Sequence, residues 1–182
     1  MNSLTEKNVL IIIPKIQFCE EELYGVMGKL KGEGANVVVL SSSGKEAVGM
    51  KKDIFKTDGM IVDWDKQPGI NGKYNAVILV GGLGAKKSIW NDPIIPQILT
   101  DHYRYGSVVA GIGSSIVVLV KASLIVGEVP LQAENHTQNE LESLNVVFVD
   151  TPVLREGKVI LGQGANSVDE FSQSIVDCMK TR

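Results

Sequence analysis

Five short apolar runs, rich in β-branched residues, recur along the chain. Most are apolar at successive positions rather than at every second one, which is typical of strands buried on both faces. The pattern therefore predicts five buried strands, at residues 8–14, 36–43, 75–82, 107–113 and 158–164.

Segments with helical spacing of apolar residues or with helix-start signals lie between these runs. Asp92, followed by proline, is expected to cap one helix, and two capping boxes precede others, Thr137 with Glu140 and Ser167 with Glu170. Residues 45–59 are expected to form a small β excursion. Together these signals predict helices at about 19–31, 92–105, 138–144 and 168–180.

Strands that alternate with helices predict an α/β fold, a doubly wound and mostly parallel sheet with helices on both faces. Nothing in the sequence marks a second domain, so residues 1–182 are expected to form one domain. Binding sites of such folds form outside the carboxyl ends of the strands. Two glycine-rich turns, "VGGLGA" and "AGIGSS", fall at those ends.

Composition excludes several classes of function. The formal net charge of -3 comes with scattered lysines, so no basic face for nucleic acid is predicted. The first apolar run stops at Pro14, too short for a signal or membrane segment, and we expect a cytoplasmic protein. Cys19 and Cys178 lack metal-ligand spacing, so we expect free thiols and no metal site.

The glycine-rich turns do not complete a nucleotide-binding motif. Gly81, Gly82 and Gly84 do not make G-x-G-x-x-G, and no G-K-[ST] pattern occurs in the chain. No cofactor is therefore expected. The alternative interpretation is that the backbone approaches something small at this turn.

Four segments resemble, in order, landmarks of the ThiJ/PfpI superfamily, the class I glutamine amidotransferase-like group. They begin with "VLIIIPKIQFCEEELYGVMGKLKGEGANVVVLS" and continue with "AVILVGGLGAKKSI", "VVAGIGSSIVVLVKASLIVG" and "VILGQGANSVDEF". The resemblance covers nearly the whole chain. It implies a flavodoxin-like fold, a nucleophile elbow after the fourth predicted strand, and a homodimer.

The resemblance also implies that the nucleophile is missing. The family elbow usually reads A-x-C-x-G, and Gly113 stands at the cysteine position with Ser114 at the position often taken by histidine. Glu22 matches the family glutamate that contacts the thiol, and a second family histidine aligns near Ala133. The N–H groups of Gly82 and Ser114 would occupy the oxyanion-hole positions.

Each candidate residue also has an ordinary structural interpretation. Ser114 and the serine after it fit helix caps, and it is a weak substitute nucleophile without a histidine partner. Glu22 ends an acidic run that could be a solvated first helical turn. Cys19, one helical turn from Glu22, is either a displaced reactive thiol or a small buried hydrophobe. His102 and His136 are expected to be surface or capping residues.

Three functions remain open from the sequence. The first is a pseudoenzyme that binds a small anionic or carbonyl ligand at the vestigial elbow, because glycine cannot supply an attacking atom. The second is a hydrolase or deglycase-like enzyme that uses Cys19 with Glu22. The third is a redox-responsive stress protein that acts through oxidation of Cys19.

Overall fold

A computed structural model describes residues 3–125 and 127–180 of the chain. All five predicted strands are present, and shorter ones join them. In chain order the strands are β1 (Asn8–Ile12), β2 (Ile16–Phe18), β3 (Asn36–Ser41), β4 (Glu46–Gly49), β5 (Ile54–Lys56), β6 (Gly59–Met60), β7 (Ala76–Leu79), β8 (Val108–Ile112), β9 (Glu128–Pro130), β10 (Val147–Val149), β11 (Val153–Glu156) and β12 (Val159–Gly162).

The helices follow the predicted alternation with strands. They are α1 (Glu20–Gly32), α2 (Ala85–Ser88), α3 (Ile94–Tyr105), α4 (Ile116–Lys121), α5 (Asn135–Glu142) and α6 (Val168–Lys180). Short 3-10 turns precede α4 and α6, at Gly113–Ser115 and Ala165–Ser167.

The central sheet has seven strands in the order β11-β12-β8-β7-β1-β3-β6. Every pairing in it is parallel except that of β11 with β12. This confirms the predicted flavodoxin-like α/β fold. Strand order reverses direction between β1 and β7, so the carboxyl ends of β1, β7 and β8 lie side by side where a site is expected.

Successive residues of the central strands pack into two separate cores. Leu10 and Ile12 of β1 belong to the core that also holds α3 and α4 residues, whereas Val9 and Ile11 belong to the core with α1 and α6. Because the pleat sends neighbouring side chains to opposite faces, a continuous apolar run is what this two-sided burial requires.

The predicted β excursion is confirmed as a three-stranded sheet in the order β2-β4-β5. β4 pairs with β5 from Glu46↔Lys56 to Val48↔Ile54, and β2 pairs with β4 with a register shift between Ile16 and Phe18. Within the described residues no helix is both long enough and apolar enough to cross a membrane.

Three helix starts were predicted, and one of them is confirmed. Asp92 accepts hydrogen bonds from the N–H groups of Ile94 and Ile95, at 2.8 and 3.3 Å, as expected of a cap. The capping box at Thr137 is wrong, because α5 begins at Asn135 and Thr137 lies buried inside it. Ser167 does precede α6, but its hydroxyl bonds the backbone of Gly164 at 2.7 and 3.2 Å.

Candidate functional site

The predicted elbow is a tight turn between β8 and α4. Gly113 follows the last residue of β8 and has φ of +61°, the left-handed region that favours glycine. The residue at the apex of the turn therefore carries no side chain. This is the strand-to-helix turn at which the resemblance implies an elbow, and its first residue has no side-chain atom.

The side chain of Glu22 fills the space above this glycine. A Cβ atom placed on Gly113 would lie 2.8 Å from Oε2 of Glu22. The other carboxyl oxygen, Oε1, accepts a hydrogen bond from the N–H of Gly81 at 2.8 Å. Glu22 is 4% exposed, so the interpretation of a solvated acidic run is wrong at this position.

Burial raises the pKa of Glu22 to about 8. The Gly81 N–H and the Cys19 thiol stabilise the ionised form and oppose this rise, and the charges of Glu134 and Glu21 add to it. The carboxyl group is therefore mostly protonated at neutral pH. Since Oε1 accepts from Gly81, the proton belongs on Oε2, the oxygen above Gly113.

Cys19 lies next to this carboxyl group, as the spacing predicted. It is the N-cap of α1, is 7% exposed, and its Sγ donates to Oε2 of Glu21 at 3.7 Å. Burial, with a further contribution from the charge of Glu22, raises the pKa of the thiol to about 12. Of the two interpretations of Cys19, the raised pKa favours the small buried side chain, because desolvation and carboxyl neighbours outweigh the effect of the helix N-terminus.

Gly82 and Ser114 bond to each other rather than to the cavity. The N–H of Gly82 donates to Oγ of Ser114 at 3.0 Å, and that hydroxyl donates to the carbonyl of Gly82 at 2.8 Å. The expected oxyanion hole therefore has one donor engaged inside the turn. Ser115 does occupy the predicted N-cap position of α4, but its hydroxyl bonds the backbone of Leu79 and Ile112 instead of an N–H of the helix.

The glycine-rich turn after β7 packs against protein backbone. A Cβ atom on Gly82 would collide with the carbonyl of Gln17, and one on Gly84 with the carbonyl of Ile16. Close approach of the backbone was predicted, but its partner is β2 rather than a small ligand. The contact holds the start of α1 against the elbow, and Cys19 N–H donates to the carbonyl of Gly81 at 2.9 Å.

A cavity of about 450 Å³ opens in front of the elbow. Segments from α1, the end of β4, the loop before α5 and the loop after β12 form its wall. The residues are Cys19, Glu21, Glu22, Met50, Gly113, Leu131, Gln132, Ala133, Glu134, Gln163, Gly164, Ala165 and Asn166. None of these described lining residues is a lysine or arginine, whereas three are glutamates, so the cavity disfavours anions.

The profile of the DJ-1/PfpI family matches residues 7–178. The chain belongs to the DJ-1/PfpI family. It is similar to an uncharacterised protein of Methanocaldococcus jannaschii, with 26% identity across 98% of this chain and 85% of that protein. The Parkinson disease protein 7 homolog of Danio rerio is 24% identical, over 94% and 88% of the two chains. The solved structure of Drosophila melanogaster DJ-1beta superposes with a TM-score of 0.80 at 21% identity, covering 97% of this chain and 91% of that chain.

The sequence did not identify Glu134 as a site residue of this DJ-1/PfpI protein. The only signal was its neighbour Ala133, which aligns near a second histidine of the family. Oε2 of Glu134 lies 3.4 Å from Nε2 of His136, whose ring stacks on Trp90 at 5.7 Å. The indole N–H of Trp90 in turn donates to the carbonyl of Ser114 at 2.7 Å.

His102 is not at the surface, contrary to expectation. It is fully buried, with Nδ1 donating to the carbonyl of Ile98 at 2.7 Å and Nε2 accepting from the N–H of Tyr74 at 3.2 Å. Burial lowers its pKa and favours the neutral ring. It does not line the cavity, so it has a structural role in the core between α3 and β7.

Proposed function

We propose that this DJ-1/PfpI protein is a non-catalytic member that binds a small carbonyl-containing ligand in the cavity above Gly113. The observation that carries the proposal is the carboxyl group of Glu22, which occupies the space where a nucleophile side chain would begin. A neutral acid at that place offers a hydrogen-bond donor instead of an attacking atom.

The protonation states of the site oppose covalent catalysis. A nucleophilic thiol must ionise, and the pKa of Cys19, raised to about 12 chiefly by burial, keeps the thiol protonated at neutral pH. A general base must be ionised as well, and the raised pKa of Glu22, about 8, keeps it mostly protonated. The same raised thiol pKa opposes the redox alternative, since peroxide oxidises thiolates.

A carbonyl suits the cavity better than an anion. The proton on Oε2 of Glu22 is placed to donate to a carbonyl oxygen, while Oε1 stays bonded to Gly81. The Gly82 N–H, which the anion-binding interpretation needs, is bonded to Ser114. The family resemblance further supports a homodimer, which sedimentation would test.

A titration with propionamide tests the proposal. We expect the backbone amide signals of Gly113 and Gly164 to shift on binding at pH 6.5, and the affinity to fall as pH rises through about 8, the raised pKa of Glu22. Above that pH the ionised carboxylate repels the carbonyl oxygen. Glu22→Gln keeps a donor at every pH, so its affinity should not change between pH 6.5 and 9.

Two results would overturn the proposal. One is the absence of any shift at these glycines with propionamide. The other is sustained turnover of methylglyoxal, peptides or esters that Cys19→Ala or Ser114→Ala abolishes, because this would establish a nucleophile outside the elbow.

A further inference from the structure

Gln132 brings an unused hydrogen-bond acceptor to the cavity. Its side chain belongs to the cavity wall, and the residue is only 9% exposed. The Nε2 atom donates to the carbonyl of Pro130 at 3.0 Å. Because a carbonyl oxygen only accepts, this bond identifies the nitrogen of the amide group and leaves Oε1 as its other arm.

The Oε1 atom of Gln132 is both unpartnered and accessible. The hydrogen bonds of this residue to other described residues involve its backbone N–H and its Nε2, and none reaches Oε1. The described side-chain atoms that are sealed from solvent without a partner are Oγ of Ser42 and Oε2 of Glu134, so Oε1 of Gln132 keeps accessible surface. A ligand that displaces water from this oxygen must replace the lost hydrogen bond.

The loop that carries Gln132 is held in place by three neighbouring elements. The N–H of Leu131 donates to the carbonyl of Val149 in β10 at 2.9 Å. The N–H of Gln132 donates to Oε1 of Gln138 in α5 at 3.1 Å. Gln163, which follows β12, donates from Nε2 to the carbonyl of Leu131 at 3.0 Å. The acceptor is therefore positioned before a ligand arrives, which lowers the cost of binding.

Gln163 supplies a second acceptor to the same cavity. Its Nε2 also donates to Oδ1 of Asp150 at 3.3 Å, so both hydrogens of the amide are engaged. No described residue donates to its Oε1, and that atom is not sealed from solvent either. Together with the proton on Oε2 of Glu22, the wall offers one donor and two acceptors.

We propose that the ligand of this cavity is a primary carboxamide, whose carbonyl accepts from Glu22 and whose N–H groups donate to Gln132 and Gln163. The inference rests on the proposed function, because it names the chemical class of the carbonyl ligand. Ketones, aldehydes and esters have no donor, so they would leave both glutamine oxygens without a partner. The volume of about 450 Å³ leaves room for an alkyl chain beside Met50 and Leu131.

The test compares three ligands of nearly equal size. Propionamide and 2-butanone share a shape and a carbonyl, but a methyl group of butanone replaces the amide NH2. Hydroxyacetone carries a carbonyl and a single O–H donor. Titrations at pH 6.5 follow the backbone amide signals of Gly113 and Gly164 in the intact protein. We expect propionamide to bind about tenfold more tightly than 2-butanone, with hydroxyacetone between them.

Substitutions locate this preference. Gln132→Met keeps the length of the side chain and removes the acceptor oxygen, so the preference should fall to about threefold. Adding Gln163→Met should reduce it to about onefold. Gln173→Met is the matched control, because Gln173 bonds Asp177 at 2.9 Å on α6 and does not line the cavity, and it should keep the full preference.

A measurement on the native protein does not depend on these variants. A donor on Oε1 changes the NMR signal of the side-chain carbonyl carbon of Gln132. At equal saturation, propionamide should therefore move this signal further than 2-butanone does. Equal movements would contradict the proposed hydrogen bond.

The outcomes separate this inference from the function on which it rests. Equal affinities for propionamide and 2-butanone in the native protein would overturn the inference and leave the carbonyl proposal standing. A full preference that persists in the double variant would also overturn it, as would hydroxyacetone binding as tightly as propionamide. If propionamide shifts neither glycine signal, the proposed function and this inference both fail.

Discussion

Glu22→Gln is expected to stabilise the protein, and by an amount that grows with pH. Burial raises the pKa of Glu22 from 4.5 to about 8, so the folded chain keeps a proton that the unfolded chain releases. Free energy of unfolding therefore falls as pH rises from about 4.5 to about 8. Glutamine cannot ionise, yet its Oε1 still accepts from the Gly81 N–H and its amide still donates above Gly113.

The magnitude follows from the size of the rise in pKa. Each pKa unit corresponds to about 1.4 kcal/mol. The carboxyl group of Glu22 therefore lowers the free energy of unfolding by about 3 kcal/mol at pH 7, and this loss approaches about 5 kcal/mol above pH 8. The advantage of the variant should be near zero at pH 4, about 3 kcal/mol at pH 7 and about 5 kcal/mol at pH 9. For a chain of this length, 3 kcal/mol corresponds to a rise in Tm of roughly 10 °C.

Urea unfolding followed by tryptophan fluorescence measures the effect. Trp90 contacts the elbow through its bond to Ser114, so its emission reports the site itself. Glu21→Gln is the matched control on the same helix: its carboxyl group is half-exposed and paired with Lys51, so it should change stability little at any pH. A difference between native and Glu22→Gln proteins that is the same at pH 5 and pH 9 would refute a buried neutral acid.

The other predictions concern the elbow and the thiol. Gly113→Ala should lower thermal stability more than Gly157→Ala. Both glycines have φ of +61°, so alanine costs about 1 to 3 kcal/mol of backbone strain at either position. Of the two, only Gly113 has a carboxyl oxygen 2.8 Å from the new Cβ. Equal losses would contradict the contact. Iodoacetamide at pH 8 should alkylate Cys19 at least a hundredfold more slowly in the folded than in the unfolded protein. The reason is the pKa of the folded thiol, which is raised to about 12. Mass spectrometry measures both rates. Similar rates would contradict this. Ser114→Ala should cost about 1 to 3 kcal/mol in urea unfolding, since it removes both hydrogen bonds to Gly82, and a neutral effect would argue against that closure.

The predictions from sequence succeeded where the cause is local. A run such as residues 75–82 is apolar at successive positions because β7 is covered on both faces, and that requirement is visible in the run itself. The same holds for Asp92, whose side chain bonds N–H groups two and three residues later. The glycine at position 113 was informative because a strained strand-to-helix turn selects glycine or a functional residue.

The predictions failed, or could not be made, where the cause lies in distant parts of the chain. Burial against the elbow keeps Glu22 mostly neutral, and the N–H that its carboxyl group meets there lies 59 residues away in the chain. His102 is buried at a place where its ring nitrogen meets a backbone N–H 28 residues away. Sequence spacing reports which groups are available but not which ones burial brings within hydrogen-bond distance.

The sequence by itself determined the α/β alternation, the family, and the glycine at the turn after β8, because periodicity, turn chemistry and residue identity are properties of the chain. Only the tertiary structure decided which groups lie above that glycine. Folding placed the carboxyl group of Glu22 over Gly113, paired Gly82 with Ser114, and added Glu134 to the cavity wall. Desolvation and charge proximity then set the protonation of the site, and both depend on distances that exist only in the folded protein.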